Sequence, residues 1–246
     1  MLPGGTDLVA EGGNRPHGAH GPTWKTELMA KEPMFRPVEA GGNWHLNAVV
    51  ERHSDHEIAT GFAEAANVIV EFWIRKGPND LLFEPLVLNQ RHALELVVKA
   101  AIRESAALLR ADGHVDSNVS QAELDKWLAR EAKHNLHRLA HRLDELLKRL
   151  GEEKLPPETH RVLMSIHELD PTGETFRYAK VNGPDGTFQD APRPLLSLAT
   201  DLQAHVDIVA MHAQFKSAFN LLSGGVMTVL ELISEYQREM AQEGGL

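Results

Sequence analysis

Cysteine is absent from the 246 residues, which excludes a disulfide framework, a thiolate zinc site and a cysteine nucleophile, and makes a reducing cytoplasm the expected home. No segment approaches the roughly 20 continuous apolar residues that a membrane span needs. The start lacks a basic region followed by an apolar stretch, so a soluble, unexported chain with no membrane partner is expected. Positive charge is also in deficit: 25 Lys and Arg stand against 35 Asp and Glu, a net charge of −10. Such a surface does not hold a polyanion everywhere, so any nucleic-acid site must be local. No internal repeat is present.

What the chain does contain is helical periodicity after a loose start. The first 43 residues hold 8 of the 19 glycines and 5 of the 13 prolines, with little apolar pattern, and read as a flexible or irregular arm. The rest is long enough to bury a sizeable core in one domain. Ser54 and Glu57 form a capping-box pattern, and Ala63, Ala66, Val70 and Ile74 recur at helical spacing, which predicts a helix over about 55–76. A second helix is expected within about 79–112, with Leu94, Val97, Val98, Ala101, Ser105 and Leu108 on one stripe. Ser120 and Glu123 suggest another capping box, opening a helical region over 121–150. A shorter helix follows at about 158–168. The Asn182-Gly183-Pro184-Asp185-Gly186 run predicts a small β-hairpin near 175–190. From Leu195 to Met240 the pattern is helical again, interrupted at Gly224-Gly225 by a kink or a close-packing point. The expected organisation is an arm over 1–43, a helical bundle over 44–191, and a C-terminal helical extension over 192–246 that packs on the bundle or forms a dimer interface.

Three blocks carry candidate chemistry. On the second helix, His92, Glu95, Lys99 and Arg103 fall within roughly 80° of one another, opposite the apolar stripe. They form either a solvated face with a Glu95–Lys99 pair, or a groove in which Lys99 meets an anion. Arg91 sits nearer the apolar side and is expected to be half buried and paired with a carboxylate. In the 134–150 segment, Leu136, Leu139, Leu143, Leu146, Leu147 and Leu150 define the apolar face, while His134, His137 and His141 fall opposite. Those imidazoles form a solvated face, an acid/base or phosphate-contacting site, or a metal site. The H-E-x-x-H pattern is missing, which disfavours a metalloprotease. Between Lys126 and Arg149, seven Lys and Arg oppose three acids, a local basic patch suited to phosphates. The third block, Asp170-Pro171-Thr172-Gly173, is turn chemistry. It delivers Phe176, Arg177 and Tyr178 either to structural roles or to a ligand, with Arg177 gripping a phosphate or carboxylate and Tyr178 stacking on a base.

In order and spacing these blocks resemble the HEPN superfamily of helical nucleotide- and RNA-handling domains. Arg91, His92, Glu95 and Lys99 match its first element, His134-Asn135-Leu136 a helix-opening H-[DN]-L element, and Arg177-Tyr178 an R-Y pair after a turn. The match spans about residues 60–180. The resemblance implies a mainly α, antiparallel helical bundle, often dimeric, with roles in toxin–antitoxin, antiphage-defence or other RNA-targeting systems. No cofactor is expected. Its nuclease branch carries R-x(4–6)-H, which Arg130 with His137 and Arg161 with His167 fit, neither with the Asn that often follows the Arg. The expected activity is metal-independent RNA cleavage. His134 or His137 would take the 2′-hydroxyl proton, and Arg130 or Arg177 would steady the phosphorane. Arg91, His92, Lys99 and Tyr178 would hold the RNA or nucleotide. The alternatives are a non-catalytic nucleotide- or protein-binding module and a histidine-ligated metal protein.

Overall fold

The computed structural model describes residues 51–177, 180–182, 185, 187–190 and 205–243. The arm expected over 1–43 and the site residue Tyr178 lie outside the described residues, as does the stretch 195–204 where the last helical region was expected to open. What is described is mainly α-helical and bundle-like, and falls in a compact unit over 52–246.

Helix α1, Asp55–Lys76, starts where local chemistry dictates. The Glu57 N–H donates to Ser54 Oγ, and the Ser54 N–H donates to the Glu57 carboxylate at 2.7 Å. Gly77, with φ of +90°, ends it in a conformation that disfavours a side chain. Ala59, Ala63, Ala66 and Val70 are buried along its length, and these small residues let α1 lie close along α2, Phe83–Ala111. Helix α2 is the spine. It packs mainly on α1 and α4 and also touches α3, α6 and α7, so both its apolar stripe and part of its polar face are covered.

The region expected to be helical over 121–150 is broken. Helix α3, Gln121–Trp127, passes into a π-helical turn over Leu128–Ala132, and Lys133 reverses the chain at φ of +47°. Helix α4, Leu136–Arg149, then begins at an Asn135 cap whose side chain accepts the Arg138 N–H at 2.9 Å. Packing explains the break. A straight helix would turn Leu124 about 120° away from Leu136, whereas here Leu124, Leu128, Ala132 and Leu136 are all buried. Ser120 stands at the N-cap of α3 but makes no side-chain capping bond, so the second expected capping box does not form.

Helix α5, Pro157–Leu169, packs on α4. Buried Asp144 ties the two together, accepting the Leu155 N–H at 3.0 Å and meeting His160 Nε2 at 2.8 Å. Two short strands, β1 (Lys180–Asn182) and β2 (Phe188–Asp190), pair antiparallel with Lys180 opposite Asp190. Phe176 and Arg177, expected in the first strand, lie in a turn before it.

Helix α6, Ile208–Asn220, and α7, Met227–Glu243, are joined through a π-helical turn over Leu221–Val226, so Gly224-Gly225 sits in a widened turn. This rod is long and apolar enough to cross a membrane by length and composition alone. Here Phe215, Ala218, Phe219, Leu222 and Leu230 are buried, and the rod packs on α1, α2 and α5.

Candidate functional site

The three sequence blocks meet around one buried arginine. Arg91, on α2, is 1 % exposed. Its Nη1 donates to Glu95 Oε2 at 2.8 Å, one turn along the same helix, and its Nη2 donates to the His134 carbonyl at 2.7 Å. The carbonyl of Asp170 accepts from both Nη2 and Nε, at 3.1 and 3.3 Å. Asp170 Oδ2 lies 3.0 Å from Nε as a charge partner, off the N–H direction, and accepts no hydrogen bond from the described residues. The expectation of a half-buried Arg91 with one carboxylate is exceeded, since the guanidinium is enclosed and faces two. As placed, it points at the protein rather than at a ligand.

Asp170 shapes its own turn. Oδ1 accepts the backbone N–H groups of Gly173, Glu174 and Thr175 at 2.8 to 3.1 Å, an anion held by a ring of amides. Gly173 closes that turn at φ of +82°. A Cβ there would stand 3.1 Å from the His134 side chain and 3.3 Å from Arg91 Nη1, so the glycine lets this loop lie directly against the site.

Glu95 is the second centre. It was placed on the polar side of the helix wheel, yet it is 1 % exposed. The wheel fails here because His134 and Lys99 cover the carboxylate: Lys99 Nζ donates to Oε1 at 2.7 Å, and His134 Nδ1 lies 2.9 Å from Oε1 and 3.1 Å from Oε2. Burial alone would raise the Glu95 pKa, but the Lys99 hydrogen bond and the charges of Lys99, His134 and Arg91 outweigh it and hold the carboxyl below its usual range. An ionised carboxylate only accepts hydrogen bonds, so His134 must carry a proton on Nδ1. In its neutral form the imidazole then presents a bare Nε2, and its side chain is 41 % exposed.

His92 lies beside this pair, half buried, its ring edge-on to Phe62 at 4.4 Å. Its Nδ1 is buried without a hydrogen-bond partner. Burial first, then the charges of Arg177, Arg91 and His134, lower its pKa against the opposing pull of Glu95. Arg177 is therefore close enough for its charge to be felt here, and it is exposed. Lys99 and His134 thus meet on the Glu95 carboxylate, and the charge of Arg177 reaches His92 beside them.

The other expected residues lie apart. His137 and His141 are exposed on α4 with ring centroids 4.6 Å apart, and His137 stacks on His167 of α5 at 6.5 Å. Burial, with the charges of Arg91 and His137, lowers the His167 pKa, and its Nδ1 is buried and unpartnered. Arg130 is exposed on the π-helical turn and makes no hydrogen bond or ion pair with the described residues. Arg161 is exposed on α5. Among the described residues no three His, Asp or Glu side chains converge to hold a metal ion.

Sequence reasoning missed a second polar link. Gln90 Nε2 lies 3.1 Å from His212 Nδ1, and His212 Nε2 lies 2.9 Å from Asn67 Oδ1, joining α1, α2 and α6. Nothing local marks these residues, since 122 and 145 positions separate the partners. Asp170 was legible only as a turn residue. Two surface grooves, one of about 520 Å³ lined by His56, Glu104, Ser223 and Arg238 among others, and one of about 440 Å³ beside Arg142 and Arg149, both lie away from His134. Comparison of the chain with protein-family models, with curated proteins and with solved structures finds no match.

Proposed function

We propose that this chain is an HEPN-like protein that binds RNA or nucleotides and cleaves RNA without a metal. The observation that supports it best is the His134–Glu95 pair: a buried, ionised carboxylate fixes the imidazole tautomer and turns Nε2 outward. In this reading Nε2 takes the proton of a 2′-hydroxyl and the 2′ oxygen attacks the adjacent phosphorus. The 5′ oxygen leaves with a proton from water, giving a cyclic phosphate. Arg177, with Lys99 behind it, offsets the charge that builds on the phosphorane. Arg91 positions Glu95 and the Asp170 turn rather than touching substrate. The protein would work in the cytoplasm, in a toxin–antitoxin or antiphage setting, as an antiparallel helical bundle that forms homodimers.

A second reading keeps the same surface and removes the chemistry. The full engagement of Arg91 by the protein, and the absence of His134 from both grooves, favour a module that binds a nucleotide or a partner protein. The test is incubation of total RNA with the purified protein in EDTA, beside His134→Ala, His137→Ala and Arg177→Ala variants verified as folded. Cleavage by the wild type that falls about 10²-fold or more in His134→Ala is expected for a lost general base. Intact RNA in every sample would leave the binding module standing and sink the nuclease.

A further inference from the structure

We infer that the exposed face of α4, from Arg138 to Arg149, is a track for the phosphates of single-stranded RNA leading away from His134. The inference rests on the reading that this chain handles RNA. Arg138 and Lys148 are exposed on this face, with the Arg142 and Arg149 side chains part buried along it at 16 and 28 % exposure, and it runs for about 16 Å at 1.5 Å per residue. His137 and His141 are exposed on the same helix, His137 just before the track and His141 within its length. In a chain with a net charge of −10 this is a local concentration of cations, the kind of site left open when the whole surface repels a polyanion.

The face is shaped as well as charged. Asn118, Arg142, Glu145, Leu146, Lys148 and Arg149 line the groove of about 440 Å³ at its far end. Each arginine there is held in place from behind. Arg142 lies 4.7 Å over the Trp127 ring and donates to Asn118 Oδ1 at 2.7 Å, and Arg149 donates to Asp116 at 2.6 Å. Held guanidiniums lose little freedom on meeting a phosphate. Two carboxylates oppose the four cations: Asp116, which occupies one edge of Arg149, and Glu145, which stands 3.8 Å from Arg142. Lys148 is exposed and has no partner among the described residues. Phosphate contacts of this kind position a strand without reading its bases, so the track predicts affinity with little sequence preference.

The test measures binding of a fluorescein-labelled 12-nucleotide single-stranded RNA to the full chain in EDTA, by anisotropy across a salt series. The His134→Ala background keeps the probe intact. The Arg142→Gln, Lys148→Gln double variant should weaken binding about tenfold and flatten the slope of log K against log salt by about 1.4, the value for two single-strand contacts. Lys148→Glu alone should weaken binding without disturbing Trp127, which guards against misfolding of the double variant. Lys216→Glu, an equal charge change on α6, should leave affinity unchanged. Equal weakening by Lys216→Glu, or wild-type affinity and slope in both α4 variants, would overturn the track. Loss of binding in the α4 variants when the wild type cleaves nothing would uphold the track and defeat the nuclease. Cleavage with an unchanged KM in the α4 variants that keep His134 would do the reverse.

Discussion

Arg91 and Asp170 lie 79 positions apart in the chain, yet the Asp170 carbonyl accepts two hydrogen bonds from the Arg91 guanidinium and its carboxylate stands 3.0 Å away. This contact closes the loop after α5 onto the middle of α2, and it brings Gly173 against His134. The candidate site therefore depends on a buried ion pair for its shape.

Arg91→Ala should be severely destabilising. It would leave Asp170 buried without its cation and Glu95 with Lys99 alone, and removing one partner of such a buried pair costs about 3–5 kcal/mol. Arg91→Lys should recover only part of the loss, because a single ammonium nitrogen cannot stand where the three separate guanidinium nitrogens meet Glu95, the His134 carbonyl and the Asp170 carbonyl. Urea denaturation of the three proteins measures both effects, and near-wild-type stability of the alanine variant would refute the account.

Gly173→Ala should cost about 1–3 kcal/mol for the positive φ alone. The added methyl would also press on the His134 ring. We expect a lower Tm together with a displaced His134 imidazole resonance in the NMR spectrum. A variant with an unchanged Tm would show that the loop has room that the structure does not.

Acid should weaken the fold over a defined window. Burial lowers the His92, His167 and His212 pKa values, with Lys216 adding to the effect at His212. A histidine held below its unfolded value binds fewer protons when folded. The stability it contributes is present above the unfolded pKa of about 6.5 and is lost as pH falls through the folded value. Glu95, held below its ordinary range, acts in the same direction at lower pH. Tm should therefore fall between about pH 7 and about pH 5, and His212→Gln should shrink that fall. A Tm that is flat or rises on acidification would contradict the assignment.

Self-association should run through α7. Leu232, Tyr236 and Met240 are 50 to 62 % exposed and lie on one stripe, four residues apart. Light scattering should give a dimeric mass for the wild type and a monomeric mass for Leu232→Glu, Tyr236→Glu. A monomeric wild type would count against the dimer.

Much of the helical content was written locally. The Ser54–Glu57 box starts α1 where the sequence says it should, because a capping box needs only residues three apart. The leucine face of α4 was legible for the same reason, since helical spacing alone sorts Leu136, Leu139 and Leu143 from His137 and His141. The break at Leu128–Lys133 was not legible: Lys133 is not a residue that signals positive φ, and the π-helical turn is imposed by the need to keep Leu124 and Leu136 on the same core.

The residues of the candidate site were visible in the sequence as well, since Arg91, Glu95, Lys99, His134 and Asp170 all stand in the three marked blocks. Their arrangement was not. A helix wheel sees only neighbours one turn away, so it recorded the Glu95–Lys99 pair and left Glu95 on the polar side, with Arg91 facing an unnamed carboxylate. Tertiary packing decided the rest by laying His134 over that carboxylate and Asp170 against that arginine. Burial then turned ordinary surface charges into a closed network, because a charge removed from water must find its partner within the protein.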